Sequence, residues 1–360
     1  MNGNNQSVKH LYSYSSTKNN GVVMGTSEFP ILRNDIDMKN AKLDLAKGYY
    51  SNLPQEYSEK YSSVYDAMIK SKSPGTTLRN ALGGPEIVGW IGILEDLTLL
   101  GLNKFRGQTY RVRAQKHNGV IFLEKHLSRH NSKSPGEFKY MSQDEYMSHH
   151  LKHCMTTAPD GSIKNDELVD TTQGFYNAQT MDFSDGGHFI RFFYVSTVDA
   201  LKEKDSKEFV VIKTHKGTMD PTFYVEKGIQ YWTRCYFGGI KEMVIGLKKY
   251  NAIDGSQTKV DVIQITDDGK LKNEYAGKLK DECAGKLKDE CIIDTDKVMK
   301  YIAKVFIRLN SQFDDPNVTS IDMLVGKDGG NGTKIVDFEP SSSNFIPLPE
   351  KFIAAFPKED

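Results

Sequence analysis

The chain has no net charge: 47 Lys and Arg stand against 47 Asp and Glu in 360 residues. That balance excludes a polybasic protein that coats nucleic acid by charge alone, though not a locally basic groove. Cysteine is scarce. Cys154, Cys235, Cys283 and Cys291 are too few for a disulfide framework at this length. An intracellular, reducing location is expected, and no strong basic run chooses between nucleus and cytoplasm. No run of roughly 18 apolar residues is present, so no helical membrane span is expected. Met1 to about Asn20 is polar and lacks the apolar stretch of a secretory signal. The sequons at Asn317 and Asn331 then carry no meaning. Gly-x-Gly-x-x-Gly and Walker A patterns are missing. Gly-Lys-Leu-Lys is no P-loop, because the upstream glycine and the Lys-Ser/Thr pair are absent.

Hydrophobic residues make up 38% and aromatics 11%, enough for a folded core. Residues 1–20 read as a flexible tail and residues 21–357 as a single domain. Helices are expected over Tyr61–Lys72, Trp90–Leu102, Asp144–Met155, Pro221–Phe237, Thr295–Phe313 and Glu350–Phe356. Val298, Ile302, Val305, Phe306 and Leu309 share one face of the fifth. Strands are expected at Tyr110–Arg113, Gly119–Glu124, Phe189–Val198, Phe209–Thr214, Glu242–Leu247, Val260–Ile265, Ile321–Val325 and Lys334–Phe338. Helices and strands mix without strict alternation, so the class is α+β with at least one mixed sheet. Ala276–Cys283 and Ala284–Cys291 are identical octapeptides, and Asp268–Tyr275 is an imperfect third copy. The period is too short for a solenoid. Residues 268–291 read as an inserted charged loop with Cys283 and Cys291 as free thiols.

Two groups of residues invite a chemical reading. His149, His150, His153 and Cys154 form two i,i+4 pairs on a helix, but the pairs point about 100° apart and nothing completes a tetrahedron. A polar helix face is the better reading. The second group is Asp199 after one strand and Val211-Ile212-Lys213 on the next. An Asp and an acid-x-Lys so placed would hold divalent metal beside a scissile phosphate. Here valine occupies the acid position, and valine does not ligate a hard cation.

Ile212-Lys213-Thr214, then Lys227, Trp232 and the run from Cys235 to Lys248, resemble the decapping exonuclease (DXO) family, RAI-type relatives included. That family has Glu-Leu-Lys-Thr on a strand, a helix with Trp-x-Gln-Ser-Phe, then Gly-Val-Pro and Gly-Phe-Arg. Trp90-Ile91-Gly92 falls at the family's Trp-Arg-Gly. Gly174-Phe175-Tyr176-Asn177-Ala178 falls at Gly-Tyr-Lys-Phe-Glu, and Ser196-Thr197-Val198-Asp199 at Gly-Glu-Val-Asp. The hairpin Arg113–Glu124, Asp314-Asp315-Pro316 and Phe345-Ile346-Pro347 extend the match colinearly over about residues 40–356. The resemblance implies a larger mixed sheet and a smaller antiparallel one, flanked by helices, related to D…(D/E)-x-K nuclease cores.

The resemblance also marks what has changed. The family's Arg becomes Ile91, and its three Glu become Ala178, Thr197 and Val211. Its Gln becomes Arg234. A one-residue gap would put Gln179 in place of Ala178. Asp199 and Lys213 survive. One carboxylate does not hold two Mg²⁺ or Mn²⁺ against their hydration. Losing terms of this kind usually costs several kcal/mol each in the transition state. The expectation is therefore an inactive or strongly impaired relative that needs no cofactor. It would bind an RNA 5′ end, or a 5′→3′ exoribonuclease as partner, and act as a monomer away from membranes. Lys213, Arg234 and Trp232 are the candidate RNA and phosphate contacts. In the bland alternative, Ile91, Ala178 and Val211 fill the pocket and Lys213 bridges Asp199, leaving a pure protein-interaction module. In the active alternative the chain is a Mg²⁺- or Mn²⁺-dependent hydrolase of non-canonical caps or a 5′→3′ exoribonuclease, with Asp182, Asp185 and Glu208 as substitute ligands.

Overall fold

The computed structural model describes residues 8–17, 21–37, 40–50, 60–105, 107, 109–126, 141–164, 169–219, 223, 227–248, 258–265, 271–272, 293–327, 334–341 and 348–357. Two sheets dominate. Strands are numbered in chain order. The larger sheet runs β17 (Lys334–Pro340), β16 (Ser320–Lys327), β6 (Tyr110–His117), β7 (Val120–His126), β5 (Ile87–Trp90), β10 (His188–Val198), β9 (Gly174–Asp185), β1 (Lys9–Thr17), β2 (Gly21–Met24). The smaller runs β15 (Leu271–Lys272), β14 (Thr258–Ile265), β13 (Glu242–Lys248), β12 (Phe209–Lys216), β11 (Ala200–Leu201), β3 (Ile31–Leu32), β8 (Thr156–Thr157), with β4 (Lys42–Leu43) beside β14. The helices are α1 (Lys60–Ser71), α2 (Leu78–Ala81), α3 (Ile91–Gly101), α4 (Gln143–Met155), α5 (Ile229–Gly238), α6 (Thr295–Ser311) and α7 (Glu350–Ala355).

The larger sheet is mixed, because β5 lies parallel to both β10 and β7. The smaller sheet corrects the expectation of an antiparallel one. β12 and β13 pair in parallel from Val210↔Glu242 to Lys216↔Lys248, as do β11 and β3. A parallel pair needs a crossover, and α5 lies on the chain between β12 and β13. Gly239 ends α5 in the left-handed conformation at φ 64° and accepts no strain there for want of a Cβ.

Three further expectations change. Lys9–Thr17 is a strand between β2 and β9, not a tail. Its Asn- and Ser-rich flanks hide a Tyr12/Tyr14 and Ser13/Ser15 alternation. Tyr14 is fully buried and stacks on Tyr176 at 4.9 Å, and Ser13 Oγ donates to Asn177 Oδ1 at 2.8 Å. Trp90 closes strand β5, and helix α3 starts only at Ile91. The twelve-residue strand Gly174–Asp185 was not read from periodicity, because its burial is nearly continuous on both faces. Of the expected Pro221–Phe237 helix, residues 223 and 227–237 are described, and the helix runs Ile229–Gly238. Of residues 268–291, only Leu271–Lys272 fall within the described residues.

Helices cover the sheets by their apolar stripes. α6 presents Val298, Ile302, Val305, Phe306 and Leu309, and α3 adds Leu94, Leu97 and Leu100 to the same core. The other face of the larger sheet is covered from α1 by Val64 and Met68 and from α7 by Phe352. α4 lays Met147, Leu151 and Met155 on the smaller sheet. α5 belongs to two cores: Ile229 and Phe237 face the larger sheet's, Cys235 the smaller sheet's.

Two buried charges stand out in the larger sheet. Arg113 is 1% exposed, and its Nε donates to Asp322 Oδ1 across β6 and β16 at 2.6 Å. Breaking such a pair strands the remaining charge, so Asp322→Ala is expected to cost about 3–5 kcal/mol in denaturant unfolding. Glu124 on β7 has a buried oxygen with no hydrogen-bond partner among the described residues, and burial pushes its carboxyl up to about 7. A folded value above the unfolded one means that its contribution is favourable at acid pH and lost as pH rises through about 7. Glu124→Gln is therefore expected to raise the melting temperature at about pH 8 and to leave it unchanged near pH 4.

Candidate functional site

A cavity of about 810 Å³ opens where the two sheets meet. Its lining includes Trp90, Ile91 and Glu95 from the β5–α3 junction, and Thr197 and Asp199 from the end of β10. Lys213 comes from β12, Arg234 from α5, and Phe175 and Tyr176 from β9. α4 contributes His149, Lys152 and His153, followed by Thr156. Those four sit at i, i+3, i+4 and i+7, the spacing of one helix face. Ser142 caps this helix reciprocally with Glu145, which fixes its start and hence its facing.

Asp199 sits on the cavity floor between β10 and β11, where the chain passes from one sheet into the other. Its backbone N–H donates to Val210 O at 2.9 Å. Its Oδ2 accepts the Ile212 N–H at 2.7 Å, and its Oδ1 faces Lys152 Nζ at 2.7 Å. Burial alone would raise this carboxyl. Lys152 and Lys213 outweigh it and hold the group at about 2. It is an anion throughout the neutral range.

Lys213 makes no ion pair or hydrogen bond among the described residues. Burial, opposed by Asp199 and reinforced by Lys152 and Arg234, lowers its ammonium to about 8. It is still mostly charged at neutral pH. Arg234 is held differently. Its Nε donates to Glu95 Oε1 at 2.8 Å and its Nη2 to Oε2 at 3.3 Å. Burial would lower its value, but Glu95 more than compensates and the net shift is upward. Further out, Lys125 lies 3.4 Å from Asp96, which also accepts from Tyr110 Oη.

The positions singled out in the sequence scatter. Asp199, Lys213, Arg234, Ile91 and Thr197 line the cavity. Ile91 also belongs to the larger sheet's core. Val211 packs with Phe29, Val198 and Met243 in the smaller sheet's core. Ala178 is wholly buried among Tyr14, Tyr176 and Val195, and Gln179 donates to Gly238 O and accepts from Ser196 Oγ. Trp232 is fully buried and stacked on Tyr236 at 4.7 Å, so no base reaches its face. The ion pair of Asp199 is with Lys152, not Lys213. Asp182 is bonded to Arg191 on the surface, and Asp182, Asp185 and Glu208 do not line the cavity. His150 and His153 hydrogen-bond to the carbonyls of Leu45 and Lys164. Among the described residues, no three His, Cys, Asp or Glu are grouped as metal ligands.

Two site residues escaped sequence reading. Glu95 lies one helical turn beyond Ile91, a spacing that places both on one side of α3. Lys152 lies between two histidines on a helix whose polar stripe was visible, but nothing local tells a cavity-facing stripe from a solvated one.

A family model described as RAI1-like PD-(D/E)XK nuclease matches residues 6–333. The chain belongs to that family, and the match takes in strand β1. Among solved structures, Candida albicans Rai1 in complex with pU5 and Mn²⁺ is 15% identical, with a TM-score of 0.69 over 98% of this chain and 96% of that one. Scheffersomyces stipitis Rai1 with (3′-NADP)⁺ and calcium is 15% identical, at 0.70 over 98% and 94%. A triple variant of S. pombe Rai1, one glutamate changed to Ser and two to Gln, in complex with 3′-FADP, is 11% identical, at 0.62 over 92% and 93%. At such identities the likeness shows the fold. No curated protein matches the chain.

The family's metals do not fit the residues present here. Both oxygens of Asp199 are engaged by protein donors, and the positions that by resemblance match the family's other acids hold Thr197, core-packed Val211 and core-packed Ala178 or hydrogen-bonded Gln179. Glu95 is occupied by Arg234. A double-mutant cycle on Glu95→Ala and Arg234→Ala is expected to give a coupling of about 1–3 kcal/mol in urea unfolding, since two charge-assisted bonds are shielded from water.

Proposed function

We propose that this protein is a hydrolytically silent member of its family that binds an RNA 5′ end in the cavity. The observation that carries this reading is the state of Asp199. The one retained acid is closed by the Lys152 ammonium and the Ile212 amide, so neither of its oxygens is left to gather metal. Without metal there is no activated water and no counter-charge for the leaving oxygen. The cavity still offers what an anionic ligand needs. Its lining has the cations Lys125, Lys152, Lys164, Lys213 and Arg234 against the carboxylates Glu95, Asp96, Asp170 and Asp199. Trp90 and Phe175 supply aromatic surface. The S. pombe variant supports the separation of binding from glutamates, since three were replaced in a protein that still holds 3′-FADP.

The test is incubation of capped and 5′-monophosphorylated RNA with the protein and Mn²⁺, alongside binding measured by fluorescence anisotropy in EDTA. RNA is expected to survive intact and to bind. Few phosphates should be involved, so the affinity falls with a shallow salt slope. Lys213→Ala with Arg234→Ala should weaken binding by about tenfold or more. Turnover that Asp199→Ala abolishes would overturn the silent reading. Binding that ignores the double substitution would move the protein to the alternative of a protein-interaction module.

A further inference from the structure

We infer that Lys152 is a built-in replacement for the family's divalent cation: held on Asp199, it forms with Lys213 a metal-free seat for a terminal phosphate. The inference rests on the reading of the cavity as an RNA 5′-end site and names the part of the ligand that is recognised there.

The geometry is specific. Lys152 reaches the cavity floor from α4 and stands 2.7 Å from Asp199 Oδ1. In the family resemblance, Asp199 is the surviving metal-binding carboxylate. A positive charge on that oxygen is what a divalent ion would otherwise supply. An ammonium has three N–H donors. Among the described residues, Asp199 takes one from Lys152, and Lys213 spends none. Both side chains line the same cavity. The Asp199 carboxylate is thus both the post that positions Lys152 and the charge that offsets two ammonium groups lining one cavity.

Arg234 does not compete for this role. Its fork is already matched to Glu95 through two bonds. Lys152, Lys213 and Arg234 against Asp199 and Glu95 leave one net positive charge on the floor. A terminal phosphate monoester, with three peripheral oxygens and close to two negative charges, exploits such donors better than an internal diester. A divalent ion, by contrast, would meet two ammonium groups, a guanidinium and two carboxylates already paired with protein cations. It is expected to be excluded, whereas a phosphate is welcome.

The test compares a short oligouridylate bearing a 5′-phosphate with the same chain ending in 5′-hydroxyl, by anisotropy, in EDTA and in Mn²⁺. Uridine 5′-monophosphate serves as competitor. The wild-type protein is expected to prefer the phosphorylated end by about tenfold, equally with and without Mn²⁺. Lys152→Gln and Lys213→Gln should each reduce that preference about fivefold or more. Lys152→Arg should keep the preference, which guards against reading a folding defect as a lost contact. Direct binding of uridine 5′-monophosphate measured by calorimetry, with neither RNA binding, would support the seat and overturn the RNA reading. Equal binding of both RNA ends would overturn the seat and leave RNA binding standing. A preference that appears only with Mn²⁺, or one that Lys152→Gln leaves intact, would also overturn the seat.

Discussion

The architecture of the cavity depends on one carboxylate. Asp199 occupies the step at which the chain leaves the larger sheet and enters the smaller one. Its backbone and side chain bind both Val210 and Ile212 of β12, and its second oxygen reaches across to α4. A buried anion with two donors and a cation on it fixes three elements at once: the end of β10, the start of β12 and the facing of α4. Removing it would leave a buried amide and an ammonium without their acceptor, and each such loss is costly. Asp199 therefore carries structural work that is independent of any chemistry.

The charges of the site have been rearranged rather than merely deleted. By resemblance, the guanidinium has moved from α3, where Ile91 now stands, to α5 at Arg234. The acid that receives it, Glu95, lies one turn from the vacated position. In the cavity, cations of the chain are clasped by its carboxylates, Lys152 by Asp199 and Arg234 by Glu95. Each protein cation is tethered, so its local concentration does not follow the supply of metal. The field on the floor is consequently a fixed property of the fold.

Much of this was legible in the sequence, for identifiable reasons. The apolar stripe of α6 and the β-branched and aromatic strands β10 and β12 show through composition, because burial on a regular element leaves a period. The family layout was legible from colinear motifs, and Asp199, Lys213 and Arg234 do meet in one cavity. Strand β1 was hidden because Tyr and Ser alternate inside a polar stretch. The mixed character of the smaller sheet was hidden because pairing direction is set by where a crossover helix packs, not by the residues of either strand. Lys152 and Glu95 were hidden for the same kind of reason: a charge on a helix reads alike whether it faces solvent or a cavity. Trp232 shows the converse, since a motif can place a residue on the right helix and the wrong side of it.

The position of β1 has a consequence for synthesis. Lys9–Thr17 is made long before one of its two neighbours in the sheet, β9 at Gly174–Asp185. Until β9 emerges, the hairpin with β2 satisfies only one edge, and the tyrosines destined for the interior have no partner. At ordinary synthesis rates that interval is on the order of ten seconds. Over that time an amphipathic strand with one open edge is exposed on a nascent chain, and a polar, Asn- and Ser-rich surround is well suited to keeping it from pairing with the wrong neighbour.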